Sequence, residues 1–201
     1  MSTLSNQIDK HSARMLFTER NENFFQRLQQ AKFTNADGGQ IELETAITTL
    51  LQQLINLRSE RRRLFVIGNG GSAAVAGHIV NDFCNTGGLI ASTIHEPALL
   101  TCYSNDYGYE QGYSRQLQTQ FSSGDMLIAI SSSGESANIL NAVAVAIEQK
   151  GFCLTLSGFE IDNSLKKLGD INYWLPSCYY GEVEIGHLFM LHHIADCLSQ
   201  C

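Results

Sequence analysis

Two short stretches of this 201-residue chain gather residue types that bind anions, and two others pair histidine with carboxylate. The first is Gly68-Asn69-Gly70-Gly71-Ser72, directly after the apolar run 64–67. The second is Ser131-Ser132-Ser133-Gly134-Glu135-Ser136, directly after the apolar run 126–130. Glycine lets a backbone turn sharply and approach a ligand, and the first N–H groups of a following helix carry partial positive charge. Serine hydroxyls add donors without adding a cation. Asn69, Gly70, Gly71 and Ser72, with Ser131, Ser132, Ser133 and Ser136, are therefore candidate phosphate or sugar ligands. Taken singly, each stretch also fits an ordinary turn or helix cap. Two of them, each after an apolar strand, point to a ligand. A rival reading starts from Gly68-x-Gly70-x-x-Ala73, a loose dinucleotide fingerprint, with Glu96 placed to bind a ribose. It leaves the serine-rich turn without a task. No Gly-Lys-Ser/Thr follows the glycines, so the Walker pattern is absent.

His78 and Asp82 stand four residues apart in a segment with helical character, so both project from one face. The last helical segment carries Glu184, His187, His192 and His193. Glu184 and His192 lie two turns apart and about 80° around that helix, near enough to serve one site. One histidine on an amphipathic helix is ordinarily a core or surface residue. A His–carboxylate pair on each of two helices suggests acid–base work or a zinc ion.

These groups need elements to hold them. Up to about residue 62 the chain reads as helix, with Met15, Leu16, Phe24, Phe25 and Leu28 on one apolar face. Ile47, Leu50, Leu51, Leu54 and Ile55 form another, and Gly38-Gly39 separates the two. Beyond that point apolar runs at 64–67, 89–94, 126–130, 152–156 and 171–175 alternate with helical segments at 72–84, 109–120, 137–149, 162–168 and 182–199. Continuous apolar strands are covered on both faces, as in a parallel sheet. The pattern predicts a three-layer α/β/α sandwich on a five-stranded parallel sheet, with ligands at the carboxyl ends of the strands. Residues 1–62 are expected to pack in an oligomer, and 63–201 to form the phosphosugar-binding unit.

Composition narrows the partners. The chain is 44% hydrophobic and 16% charged, enough for a real core. A net charge of −7 argues against nucleic acid or an anionic membrane, and Arg61-Arg62-Arg63 reads as a solvated helix end. The N-terminus lacks a basic-then-apolar signal pattern, and no apolar run is long enough to span a bilayer. The six cysteines include no C-x-x-C pair, consistent with a reducing cytoplasm. Two apolar-faced helices before the first strand exceed what one small sheet needs, which predicts a homo-oligomer.

Together with Asn105-Asp106-Tyr107-Gly108-Tyr109 and Tyr113-Ser114-Arg115, the two turns resemble the SIS (sugar isomerase) domain family. Within it they look most like the phosphoheptose isomerases, over nearly the whole chain. The resemblance implies an aldose–ketose isomerase that converts sedoheptulose 7-phosphate to a manno-heptose 7-phosphate in bacterial heptose biosynthesis. It implies a homotetramer with active sites shared between neighbours. It also implies zinc at His78, Asp82, Glu184 and His192, with Asp82 as base and His192 as acid. Asn69, Asn105, Asp106, Asp82 and Glu184 would contact the sugar. The chain departs from the family pattern in four places. Asp82 stands where glutamate is usual, Glu184 where glutamine is, and Gly181 where aspartate is, and no arginine closely follows Asp82. Aspartate is one methylene shorter than glutamate, so a base at position 82 reaches less far unless the helices sit closer. Non-catalytic SIS proteins share these loops, so a phosphosugar sensor or a replication-initiation-type interaction protein is the alternative. A nicotinamide oxidoreductase is a third.

Overall fold

The computed structural model describes residues 10–201, with side chains from Leu16 onward; residues 1–9 and the Met15 side chain lie outside the described part. In chain order the N-terminal part runs α1 (Lys10–Gln29), β1 (Lys32–Asn35), β2 (Gln40–Ile41) and α2 (Leu43–Ser59). Then follow β3 (Arg63–Gly68), α3 (Gly71–Asn85), β4 (Ile90–Ser92), α4 (Pro97–Tyr107) and α5 (Gly112–Gln120). The chain closes with β5 (Met126–Ser131), α6 (Ala137–Glu148), β6 (Phe152–Ser157), β7 (Ile171–Trp174) and α7 (Tyr180–Ser199).

The continuous apolar strands are covered twice. In β3, Leu64 and Val66 join one apolar cluster while Phe65 and Ile67 join a second; in β5, Met126, Ile128 and Ile130 part from Leu127 and Ala129 in the same way. Helices α2, α3 and α7 fill the first cluster through Leu50, Leu54, Ile79, Phe83, Leu191 and Ile194. Helices α5 and α6 fill the second through Leu117, Ile139 and Val143. Each such side chain, fully buried, contributes roughly 1.5–3 kcal/mol relative to exposure. The result is the expected three-layer sandwich.

The sheet has seven strands in the order β2-β1-β7-β6-β5-β3-β4. The run from β7 to β4 is the expected five-stranded parallel sheet, paired in parallel throughout. The other two strands correct the reading of the first 62 residues as helix alone. Residues 32–41 form a hairpin, and β1 lies antiparallel along β7. Phe33 is buried there, its ring 5.0 Å from that of Tyr173. Gly38 supplies the turn's positive φ of 79°, and Asn35 Oδ1 accepts from the Gly39 N–H at 2.7 Å. The glycine pair read as a helix break is thus a hairpin turn.

Two other elements differ from the pattern. Segment 162–168 holds only a 3-10 turn, Leu165–Lys167, because Asn163 takes over local backbone groups: its amide donates to Glu160 O at 2.7 Å and its oxygen accepts from Lys166 N–H at 3.1 Å. The helix expected over 109–120 opens as a 3-10 turn, Tyr109–Gln111, and α4 precedes it unanticipated. Pro97 begins α4, and the Glu96 carboxylate caps it by accepting from Leu99 N–H at 2.8 Å. Glu96 is therefore occupied as a helix cap, which removes the ribose carboxylate from the dinucleotide reading. Among the described residues no helix is long and apolar enough to cross a membrane, and all six cysteines are free.

Candidate active site

The glycine-rich and serine-rich turns both lie at the carboxyl ends of adjacent strands, β3 and β5, which pair up to Gly68 and Ile130. In the first turn a Cβ at Gly68 would meet the Ser72 backbone at 2.6 Å, and Gly70 has a positive φ of 53°. Glycine at these two places is thus a steric requirement, and it brings the chain directly into α3. In the second turn Gly134 has φ 70°, and a Cβ there would run into Asn163 Oδ1. Ser131 Oγ donates to Ser136 Oγ at 3.2 Å, and Ser133 Oγ accepts from Glu135 N–H at 3.2 Å. Glu135 points away from this work. Its carboxylate accepts from Ser164 N–H at 2.7 Å and Ser164 Oγ at 2.8 Å, and those bonds hold its pKa below the usual value.

The two turns are tied together. Asn69 Nδ2 donates to Asn138 Oδ1 at 2.9 Å, and Asn138 Nδ2 donates back to Asn69 Oδ1 at 2.8 Å. Tyr109 Oη also donates to Asn69 Oδ1, at 3.1 Å. Tyr113 Oη donates to Gly68 O at 2.7 Å, and burial raises that phenol to about 12, so it stays protonated. Asn138 and Tyr113 are additions to the expected site residues; neither is in a turn, and their spacing gives no signal of the contact.

Between the turns lies a cavity of about 250 Å³. Asn69, Gly70, Gly71, Ser72, Ser131, Ser132, Ser133 and Ser136 line it, so all eight expected residues of the two turns meet there. The Ser132 hydroxyl is buried and has no hydrogen-bond partner among the described residues. Tyr180 and Glu184, from the first turns of α7, complete the wall. The Glu184 carboxylate lies over Gly71, where a Cβ would collide with it.

Helices α3 and α7 pack against each other and bring a second group together. His78, Asp82 and His192 offer ligand atoms that all lie within 4.8 Å of one another. His192 Nδ1 contacts Asp82 Oδ2 at 2.8 Å, and the two imidazole rings meet edge-on with centroids 4.9 Å apart. His78 is exposed and the other two are half-buried, so the cluster is open to a ligand. Two imidazoles and a carboxylate at this separation fit a divalent metal ion with positions left for other ligands. Of the four residues expected to act together, three meet here, and Glu184 stands apart at the serine-lined cavity. Helix geometry accounts for this, since eight residues span about 12 Å of axis.

The remaining expected residues fall elsewhere. Asn105 and Asp106 lie on α4 outside the cavity, with Asn105 Nδ2 donating to Asp106 Oδ1 at 2.9 Å. Asp106 Oδ2 also accepts from the Cys102 thiol at 3.6 Å, which raises the thiol's pKa. His187 is a core residue: it is fully buried, its Nε2 donates to Ser157 O at 3.0 Å, and burial pulls its pKa down to about 4. His193 is exposed, with its Nε2 3.8 Å from Cys197 Sγ.

Residues 37–152 match the SIS domain family. The chain is 36% identical over 166 residues to the phosphoheptose isomerase of Trichlorobacter lovleyi, covering 79% of this chain and 84% of that one. It is 31% identical over 166 residues to the phosphoheptose isomerase of Helicobacter pylori, covering 79% of this chain and 85% of the other. Among solved structures, the phosphoheptose isomerase of Neisseria gonorrhoeae superposes with a TM-score of 0.80 over 94% of this chain and all of that one, at 24% identity. That last likeness is one of fold.

Proposed function

This chain belongs to the SIS-domain family, and on that premise we propose that it is an aldose–ketose isomerase acting on a seven-carbon sugar phosphate. The reaction is the conversion of sedoheptulose 7-phosphate to a manno-heptose 7-phosphate, a step of bacterial heptose biosynthesis. One observation carries the reading: an open His–carboxylate pair, His192 Nδ1 to Asp82 Oδ2 at 2.8 Å, built on α3 and α7, the two helices whose first turns help to wall the serine-lined cavity.

The hydroxyls of Ser72, Ser131, Ser132, Ser133 and Ser136, with the Gly70 and Gly71 backbone, hold the phosphate and leave the far end of the sugar to the acid–base pair. From the ketose, Asp82 removes a proton from C1 while His192 protonates the C2 carbonyl oxygen, giving the enediol. Asp82 then returns its proton to C2, and loss of the O1 proton to His192 leaves the C1 aldehyde. Every proton taken is given back, and no external oxidant is needed. His78, Asp82 and His192 would also hold zinc, which when bound supplies Lewis-acid polarisation of the carbonyl oxygen. Asn105 and Asp106 take no part in this scheme.

We place the enzyme in the cytosol, as a homotetramer. Six unpaired thiols support the first statement. The second is supported by Phe17, Phe25, Ile185 and Phe189 on α1 and α7, large apolar side chains that the single chain leaves exposed. Sedimentation of a well-behaved monomer of 22.2 kDa at micromolar concentration would refute the assembly.

Incubation with sedoheptulose 7-phosphate in D₂O, followed by NMR, tests the reaction. Aldose signals should appear, with deuterium entering at the reacting carbons. Asp82→Asn should lower turnover by roughly a hundred- to ten-thousandfold while phosphate still binds. Binding without interconversion or exchange would favour a sensor over an enzyme. An absorbance change with a nicotinamide nucleotide would favour an oxidoreductase.

A further inference from the structure

The cavity assigned to phosphate contains an anion of the protein's own. Glu184 is the one charged residue among the described residues that line it; the rest of the wall is serine, glycine, asparagine, isoleucine and tyrosine. Its carboxylate lies against Gly71, the first residue of α3, beside the helix end whose first N–H groups have no intrahelical partner. Among the described residues no hydrogen bond or ion pair holds it there. A carboxylate in that position gains from the partial positive charge of the helix end. An incoming phosphate seeks the same donors.

We infer that Glu184 sets the affinity of this cavity for phosphate, as a resident anion that the ligand must displace or endure. The inference rests on the reading of the cavity as a phosphate site. Phosphate enters with one to two negative charges and finds no lysine, arginine or histidine in the wall. Charges about 4 Å apart interact by 1 to 4 kcal/mol between bulk-water and protein-surface screening. Neutralising Glu184 should therefore tighten phosphate binding by about ten- to a hundredfold. Glutamine keeps the size and shape of the side chain, so its effect isolates the charge. Glu184 acts here on affinity and is separate from the proton transfers assigned to Asp82 and His192.

The test is calorimetric titration of inorganic phosphate into the wild-type protein, Glu184→Gln and Glu184→Ala, at low salt and at roughly 0.5 M NaCl, where charge repulsion is screened. The expected result is tighter binding by both variants at low salt, with the gap narrowing as salt rises. A side chain acting only through shape would give no salt dependence to that gap, and Glu184→Ala would differ from Glu184→Gln. Equal or weaker binding by Glu184→Gln at low salt would overturn the inference and leave the phosphate cavity standing. Failure of all three proteins to bind phosphate would overturn both, and the cavity would have to be assigned to another ligand.

Discussion

Replacing Asn138 by alanine should loosen the join between the glycine-rich and serine-rich turns. Asn138 is buried at the start of α6, and its amide makes two reciprocal bonds with Asn69, at 2.9 and 2.8 Å. Alanine removes both. Each neutral hydrogen bond contributes about 0.5–1.5 kcal/mol net, and a buried donor left unmet costs about 1–3 kcal/mol. Asn69 Oδ1 keeps the Tyr109 hydroxyl at 3.1 Å, so the group left without a partner is Asn69 Nδ2. Asn69 is only partly buried, and water can recover some of that loss. The net cost should be about 1–3 kcal/mol, and in a chain of this size each kcal/mol lowers the melting temperature by roughly 2–4 °C. Urea unfolding measures the stability term, and titration of inorganic phosphate measures its consequence for the cavity. A double-mutant cycle with Asn69→Ala should give a coupling of about 0.5–3 kcal/mol. Additive single variants, or an Asn138→Ala protein within about 0.5 kcal/mol of wild type and equal to it in phosphate affinity, would refute the argument.

Three further outcomes are expected. His187 binds a proton near 6.5 when unfolded but near 4 when folded, so the unfolded state takes up more protons between those values. Stability is full above pH about 6.5 and falls by up to about 3 kcal/mol as pH drops toward 4; urea unfolding of His187→Gln should show a shallower acid loss than wild type, and an unchanged profile would exclude His187 as its source. Gly134→Ala forces a side chain into φ 70° and against Asn163, at a cost of about 1–3 kcal/mol, and should lower both melting temperature and phosphate affinity. Zinc at about a hundredfold above its Kd should stabilise the wild-type protein by about 2.7 kcal/mol in thermal unfolding, and His78→Ala should lose that gain; no shift in either protein would remove the metal from the site.

The parallel core is legible in the sequence because strands covered on both faces read as apolar runs, whatever else surrounds them. The two turns are legible for a related reason: glycine and serine massed directly after an apolar strand mark a sharp turn rich in free donors, and two such turns in one sheet converge. The hairpin is not legible, since Lys32-Phe33-Thr34-Asn35 is short and its burial depends on β7, far along the chain. Helix α4 escapes the apolar pattern although its end signals stand in the sequence, a proline at its start and a capping glutamate before it. Glu96 suits a ribose ligand as well as a cap, and nothing local separates the two uses of one carboxylate. Asn138 shows the other limit, because a side chain paired across 69 positions leaves no local pattern to read.

Asp82 is where side-chain length and helix spacing have to agree. A carboxylate one methylene short of glutamate reaches His192 only if the two helices approach closely. They do: Asp82 Oδ2 stands 2.8 Å from His192 Nδ1, and His78, one turn earlier on α3, meets the same ring. The buried face of α3 runs through Ser72, Val75, Ala76, Ile79 and Phe83, and packing of α3 against α7 carries Asp82 to His192. In α7, Gly186 lets Leu175, the residue after β7, come so near that a Cβ would stand 2.5 Å from it, which seats α7 close to the sheet. Packing of this density passes small changes in side-chain volume on as shifts of whole elements. The length of the Asp82 side chain and the packing of α3 against α7 therefore form one structural feature, and the short carboxylate is compatible with acid–base chemistry at this site.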